Sequence, residues 1–199
     1  MIKYRKPKLV EAEEIAAVHL KTFKNFFLSS LGKSFLITYY KSCIKSKDAI
    51  SICAVDEENI IVGFCFGSLS SIGFHKKLIL NNMPAFTLQA LGIFFSKPKA
   101  IIRLLKNLKK KAHPEDNGDY AEVLSIGVLA EKKGLGIGKG LILDFEKNIK
   151  NKEIKRISLT TDYNSNTAVL KFYKSMGYEV FYDFVTYPDR KMFKLIKNI

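Results

Sequence analysis

The chain has 199 residues and a formal net charge of +14, from 33 basic against 19 acidic side chains. With 47% hydrophobic and 12% aromatic residues it can fill a packed interior, which excludes whole-chain disorder and suits one domain over residues 1–199. No run reaches the roughly 18 apolar residues of a membrane span, and the opening Met1-Ile2-Lys3-Tyr4-Arg5-Lys6-Pro7 is not an apolar signal core.

From Val10 to Phe23, apolar positions at Val10, Ile15, Val18 and Leu20 predict an amphipathic helix. A break follows at Phe26-Phe27-Leu28-Ser29-Ser30-Leu31-Gly32, unusually apolar for a linker, where the phenylalanines either line a pocket or plug the core. A second helix carries Phe35, Leu36, Tyr39, Tyr40 and Ile44 on one side. The period then changes. Ile50–Val55 predicts a strand, Asp56-Glu57-Glu58-Asn59 a turn, and Ile60–Leu69 the returning strand of a hairpin.

Residues 71–118 interrupt this pattern with an apolar stretch around Met83 to Phe95 and a basic amphipathic segment, Lys97 to Lys111. They hold nine basic residues against two acids, half the net charge in a quarter of the chain. Strand character resumes at Ala121–Val128, followed by a helix over Gly136–Lys150 and a strand over Ile154–Thr161. A short helix over Asn166–Ser175, a strand over Tyr178–Thr186, a turn at Tyr187–Arg190 and a last strand through Leu195 complete an α/β pattern with a mixed sheet.

The segment richest in chemistry runs from Val123-Leu124-Ser125-Ile126-Gly127-Val128 into Lys133-Gly134-Leu135-Gly136-Ile137-Gly138-Lys139-Gly140-Leu141. A strand enters a glycine-rich loop that opens an apolar helix. Unpaired N–H groups and the positive end of the helix dipole make such a loop an anion site, to which Lys132, Lys133 and Lys139 add charge. A magnesium-nucleotide loop would need a hydroxyl after Gly138-Lys139, where Gly140 stands. A dinucleotide fold wants G-x-G-x-x-G; the spacing here is G-x-G-x-G, although Asp162 ends the next strand as that fold would require. A coenzyme A pyrophosphate loop and a purely structural turn also fit the glycines.

Lys133-Gly134-Leu135-Gly136-Ile137-Gly138 resembles the R/Q-x-x-G-x-G/A motif of the GNAT family of N-acetyltransferases, with lysine in the arginine or glutamine place. Asn166-Thr167-Ala168-Val169-Leu170-Lys171-Phe172-Tyr173-Lys174-Ser175-Met176-Gly177-Tyr178 resembles the second signature of that family: an asparagine, a tyrosine seven residues on, and a terminal Gly-Phe/Tyr. The resemblance is specific from Glu122 to Tyr178. It implies the GNAT fold, an α/β (α+β) architecture with a mixed, mostly antiparallel twisted sheet of about seven strands. About four core helices would flank that sheet, with residues 71–118 a helical insertion between the third and fourth strands.

The resemblance also implies an acyl-CoA-dependent N-acetyltransferase that moves an acetyl group from acetyl-CoA directly to a primary amine, without a protein nucleophile or a metal. The backbone of Ile126, Gly127 and Val128 would take the pantetheine arm. The loop of Lys133, Gly134, Leu135, Gly136, Ile137, Gly138 and Lys139 would cradle the pyrophosphate. Asn166 would contact the arm, and the Tyr173 hydroxyl would protonate the leaving thiolate. An attacking amine must lose a proton. Glu122, evenly spaced from Leu124, Ile126 and Val128 and so expected on one face with them, could accept it, unless it is a solvated carboxylate at a strand start. Asp162 and Asp119 are lesser candidates.

The linker Phe26–Gly32 and the insertion 71–118 would shape the acceptor site, as a lid or a deep, partly apolar pocket suited to a small amine. Phe26-Phe27-Leu28 ahead of Leu31-Gly32-Lys33-Ser34-Phe35-Leu36 resembles family members from bacterial surface-polysaccharide loci, which implies an amino sugar, free or nucleotide-linked. A protein or peptide amine is the alternative acceptor. A membrane-surface module, or an acyl-CoA-binding module without catalysis, is the alternative of another class, because Lys97–Lys111 has the pattern of an interfacial helix. Only four of the 33 basic residues are arginine and no tryptophan is present, which argues against nucleic acid and fits an AT-rich bacterial genome. Cys43, Cys53 and Cys65 form no CxxC pair, so a reducing cytoplasm is expected; His19, His75 and His113 are too scattered for a metal site. Monomer and homodimer are both open.

Overall fold

The computed structural model describes residues 1–24, 26–98, 113–150, 152–164 and 166–199. A three-residue strand, β1 (Lys3–Arg5), leads through a single 3-10 turn (Leu9–Glu11) into α1 (Ala12–Thr22). One helical turn, α2 (Phe27–Ser30), precedes α3 (Lys33–Lys45). The hairpin β2 (Ala49–Val55) and β3 (Ile61–Ser68) is buried on both faces except at Ala49. Its turn is held by Asp56, whose Oδ1 accepts from the N–H groups of Glu58 and Ile60 at 3.1 and 3.0 Å. The insertion contributes α4 (Phe74–Asn81) and α5 (Met83–Ser96). Beyond it come β4 (Ala121–Val128), a 3-10 turn (Ala130–Lys132), α6 (Ile137–Lys150), β5 (Arg156–Asp162), α7 (Thr167–Ser175), β6 (Glu179–Thr186) and β7 (Arg190–Asn198).

The strands form one seven-stranded sheet in the order β1-β2-β3-β4-β5-β7-β6. Only β4 and β5 run parallel, and α6 makes the crossover that a parallel pair requires. One face carries α1 and α3, where Tyr40 meets the Phe66 ring at 4.7 Å and His19 stacks on Phe64 at 6.0 Å. The other face carries α6, whose Leu141, Ile142, Phe145 and Ile149 are fully buried. Glu14 ties α1 to the sheet by accepting from the Ile61 N–H at 2.8 Å, and Lys197 ties β7 to α6 through Glu146 at 2.8 and 2.9 Å. Gly140 lets α6 lie against Tyr4; any Cβ there would overlap the Tyr4 ring.

The expected architecture holds: a mixed, mostly antiparallel sheet flanked by α1, α3, α6 and α7, with a helical insertion between the third and fourth strands. Two elements differ from expectation. The apolar break after α1 contains α2, because the Ser29 hydroxyl donates to the Phe23 carbonyl at 2.6 Å and folds the chain into a turn. The opening residues form an edge strand on β2, too short to show a period. The expected basic helix at 97–111 lies, from residue 99 on, outside the described residues.

Candidate active site at the opening between β4 and β5

β4 is paired with β3 from Glu122 opposite Ser68 to Val128 opposite Gly63. Its pairing with β5 stops after three residues, Ala121–Val123 against Ile157–Leu159. From Leu124 to Val128 the edge of β4 that faces β5 has no strand partner among the described residues, so a row of backbone donors and acceptors opens into a wedge. Ile126, Gly127 and Val128 line that row.

The glycine-rich loop follows at the mouth of the wedge. Gly134 and Gly136 take φ values of +81° and +74°, and an added Cβ at either would meet nothing within 4 Å. The glycines therefore serve backbone conformation and leave open space above the loop. The first hydrogen bond of α6 runs from the Gly140 N–H to the Gly136 carbonyl at 3.0 Å. The N–H groups just ahead of it are left to other partners, as at any helix start. Lys133, Leu135 and Lys139 are exposed around them, while Ile137 anchors the loop in the core. A concave run of free N–H groups, without Cβ obstruction and with lysines at its rim, fits a pyrophosphate.

α7 closes the far side. The Asn166 side-chain amide donates to the Thr161 hydroxyl at 2.6 Å and to the Asp162 carbonyl at 2.7 Å, which fixes the start of α7 to the end of β5 and leaves Oδ1 as its other polar atom. Tyr173 is 6% exposed, with the Phe172 and Tyr178 rings at 5.0 and 5.7 Å. Its hydroxyl has no hydrogen-bond partner among the described residues. Burial, and the neighbouring Cys65 thiol, raise its pKa above the ordinary phenol value, so the hydroxyl keeps its proton.

Glu122 does not lie where even spacing would put it. Phe66 is paired with Ser125 and Gly67 with Val123, so Leu124 is an extra residue, a β-bulge that reverses the alternation. A Cβ at Gly127 would meet Phe23 and Thr22 near the end of α1, whereas Val128 packs toward Leu141 of α6. Glu122, opposite Ser68, shares the α1/α3 face with Ser125 and Gly127, and the expectation that it shares a face with Ile126 and Val128 is corrected.

On that face Glu122 joins a polar cluster. Lys194 of β7, 5% exposed, donates to Glu122 Oε1 at 2.5 Å and lies over the Tyr120 ring at 4.6 Å. Burial works to lower the Lys194 pKa, but Glu122 and Tyr120 outweigh it and the net shift is upward. Asp116 accepts from the hydroxyls of Tyr120 and Tyr182 at 2.8 and 2.5 Å. Burial opposes its charged form; the two phenols and the Gly118 N–H outweigh that and hold its pKa below the usual carboxylate value. Ser68 and Ser158 flank Glu122 in register, and their buried hydroxyls have no partner among the described residues.

Asp162 is held by Arg190 at 2.5 and 2.7 Å, and the Arg190 guanidinium lies over the Phe26 ring at 4.4 Å. Asp119 is largely exposed beside Arg156, on the other side of the short parallel pairing from the wedge. Neither is placed as Glu122 is. Lys194, Tyr120, Asp116 and Tyr182 escaped the sequence reading; the one signal was a lysine set among apolar residues in the last strand. Among the described residues, no group of three or more His, Cys, Asp or Glu side chains could hold a metal ion.

The model of the acetyltransferase (GNAT) family matches residues 19–178. No curated protein sequence matches. Among solved structures, the ribosomal-protein-S18-alanine N-acetyltransferase of Escherichia coli superposes with a TM-score of 0.64 at 9% identity, over 100% of this chain and 94% of that one. The PaiA N-acetyltransferase of Thermoplasma acidophilum, in complex with coenzyme A, gives 0.60 at 17% identity over 100% and 99%. Ard1 of Thermoplasma volcanium gives 0.63 at 12% over 100% and 97%. At these identities the likeness is one of fold, and the fold is that of the GNAT proteins.

Proposed function

The chain belongs to the acetyltransferase (GNAT) family, and on that premise we propose that it transfers an acetyl group from acetyl-CoA to the primary amine of a small, hydroxyl-rich acceptor such as an amino sugar. The observation that carries this reading is the wedge between β4 and β5, which opens beside the Gly134–Gly138 loop. When bound, acetyl-CoA supplies the activated thioester. Ile126, Gly127 and Val128 offer the pantetheine amides the backbone edge that β5 leaves unpaired. The N–H groups from Gly134 to Lys139 would receive the pyrophosphate, that of Lys133 being engaged by the Ala130 carbonyl at 3.2 Å, with the lysine charges beside them. Asn166, whose amide is already engaged, presents Oδ1 to the arm.

Tyr173, which burial keeps protonated, would donate its proton to the sulfur as the thiol leaves. Glu122, on the α1/α3 face and bonded to Lys194 only through Oε1, offers Oε2 to the amine proton. Near it, the half-buried Ser125 and the Asp116 carboxylate, which accepts from the Tyr120 and Tyr182 hydroxyls, are the polar groups that favour a hydroxyl-bearing acceptor. Phe26 and Arg190, in contact across the rim, bound the same space. Buried free thiols at Cys43, Cys53 and Cys65 suit a reducing cytoplasm.

A second reading, a peptide or protein amine, is favoured by the exposed run of apolar side chains on the insertion. The experiment that separates the two is a thiol-release assay with acetyl-CoA against free and nucleotide-linked amino sugars, polyamines and peptides. Release that depends on amino sugar supports the first reading. Release with peptides alone replaces it by the second.

A further inference from the structure

Side chains bridge the wedge between β4 and β5 at the level where the two strands no longer pair. Their last paired residues are Val123 and Leu159. Continued in the same register, Ile126 and Gly127 would stand opposite Asp162 and Tyr163. Ser158 is the neighbour of Glu122, so alternation along β5 puts Asp162 on the α1/α3 face. Arg190 of β7 follows it there, in step with Lys194 opposite Thr160.

Arg190 uses its guanidinium twice. The edge forms a fork on Asp162, with Nε donating to Oδ1 at 2.5 Å and Nη2 to Oδ2 at 2.7 Å. The flat face lies 4.4 Å from the centroid of the Phe26 ring. Phe26, just ahead of α2, meets the Phe23 ring edge-on at 5.1 Å. Phe23 in turn packs on Gly127, where an added Cβ would lie 3.0 Å from its ring. On the other side, the Asp162 carbonyl accepts from the Asn166 side chain at 2.7 Å, at the start of α7. A continuous strap thus runs from α7 and β5 through Asp162, Arg190, Phe26 and Phe23 to β4. Lysine would supply the same charge, but only arginine offers a fork and a flat face together. The two charged side chains are 28% and 34% exposed, where an ion pair adds little stability by itself.

We propose that Arg190 is a positioning residue that sets the width of the wedge for the coenzyme arm and ties the acceptor rim at Phe26 to the occupancy of that wedge. This rests on the reading of the wedge as the coenzyme cradle. A ligand that enters between Gly127 and Asp162 displaces one end of the strap, and the aromatic contact at Phe26 moves with it. Arg190 acts through Asp162 and Phe26, not on the reacting atoms.

The chain has no tryptophan, so Phe26→Trp places a single reporter on the strap and keeps an aromatic face for Arg190. Coenzyme A is titrated into this protein by fluorescence and by calorimetry, with thermal melts to verify folding. Emission at position 26 shifts with the same midpoint as the heat. In Phe26→Trp/Arg190→Gln the emission response is lost and coenzyme A binds at least about fivefold more weakly. Arg190→Lys in the same background restores neither, since an ammonium has no fork and no flat face. Phe26→Leu, at a side chain 36% exposed and so tolerant of substitution, also weakens binding with Arg190 in place. Heat without an emission change overturns the strap and leaves the cradle standing. So does wild-type affinity in Arg190→Gln or in Phe26→Leu, or full rescue by Arg190→Lys. No heat from the wild-type chain removes the cradle, and the strap with it.

Discussion

The Lys194 ammonium donates to Glu122 Oε1 at 2.5 Å, joining β7 to β4 across the intervening β5. Both side chains are largely withdrawn from water, the lysine the more so. Removing one partner from such a pair leaves the other charge uncompensated, which is costlier than removing both. Lys194→Met is therefore expected to lower unfolding free energy by about 3 kcal/mol in urea titration. Adding Glu122→Gln to that variant is expected to restore part of the loss.

The Tyr173 side chain is largely buried, and its protonated hydroxyl has no hydrogen-bond partner among the described residues. In its proposed role as proton donor to the sulfur it should contribute to the chemical step and little to binding. Tyr173→Phe is expected to reduce kcat by about 100-fold, the lower range for a positioned acid. The KM for acetyl-CoA and the melting temperature should stay near wild type. A matched rise in KM would instead mark Tyr173 as a binding residue.

His19 gives a pH-dependent signature. Its Nδ1 lies 2.6 Å from the Tyr40 hydroxyl, and burial lowers its pKa from 6.5 to about 4. The folded protein thus keeps the imidazole neutral while the unfolded chain takes a proton as pH falls through 6.5. Stability is full above that value and is lost on acidification until the folded form also protonates near 4. Between pH 6.5 and 5 the loss is about 2 kcal/mol, readable from denaturant midpoints, and His19→Gln should flatten the slope over that interval.

Much of this arrangement was legible in the sequence. Ala121–Val128 is an apolar-rich run bounded by turn chemistry, which sets β4 to the residue, and the two signatures flanking α6 single out the loop and Tyr173 as candidates. The face of Glu122 was not legible. It depends on the bulge at Leu124, which is set by how Phe66 and Gly67 of β3 pair with β4, a contact nearly sixty residues distant in sequence. Lys194 was missed for the same reason, since its partner lies two strands away. β1 has three residues and α2 four, too few for any period to emerge.

Gly136 holds φ at +74° in open space. Gly136→Ala meets no neighbour but takes on left-handed strain of about 1–2 kcal/mol. Either the melting temperature falls by that equivalent or the loop relaxes and acetyl-CoA binding weakens, and calorimetry with thermal melts on one sample measures both.

The central claim, that the wedge and the glycine loop form a coenzyme cradle, is tested most directly by isothermal titration of coenzyme A into the wild-type chain and into Gly136→Val. The account predicts one site per chain in the wild type and affinity at least about tenfold weaker in the variant, since a branched side chain both strains the left-handed turn and fills the space above the loop. No binding by the wild-type chain, or equal affinity in the two proteins, would contradict it.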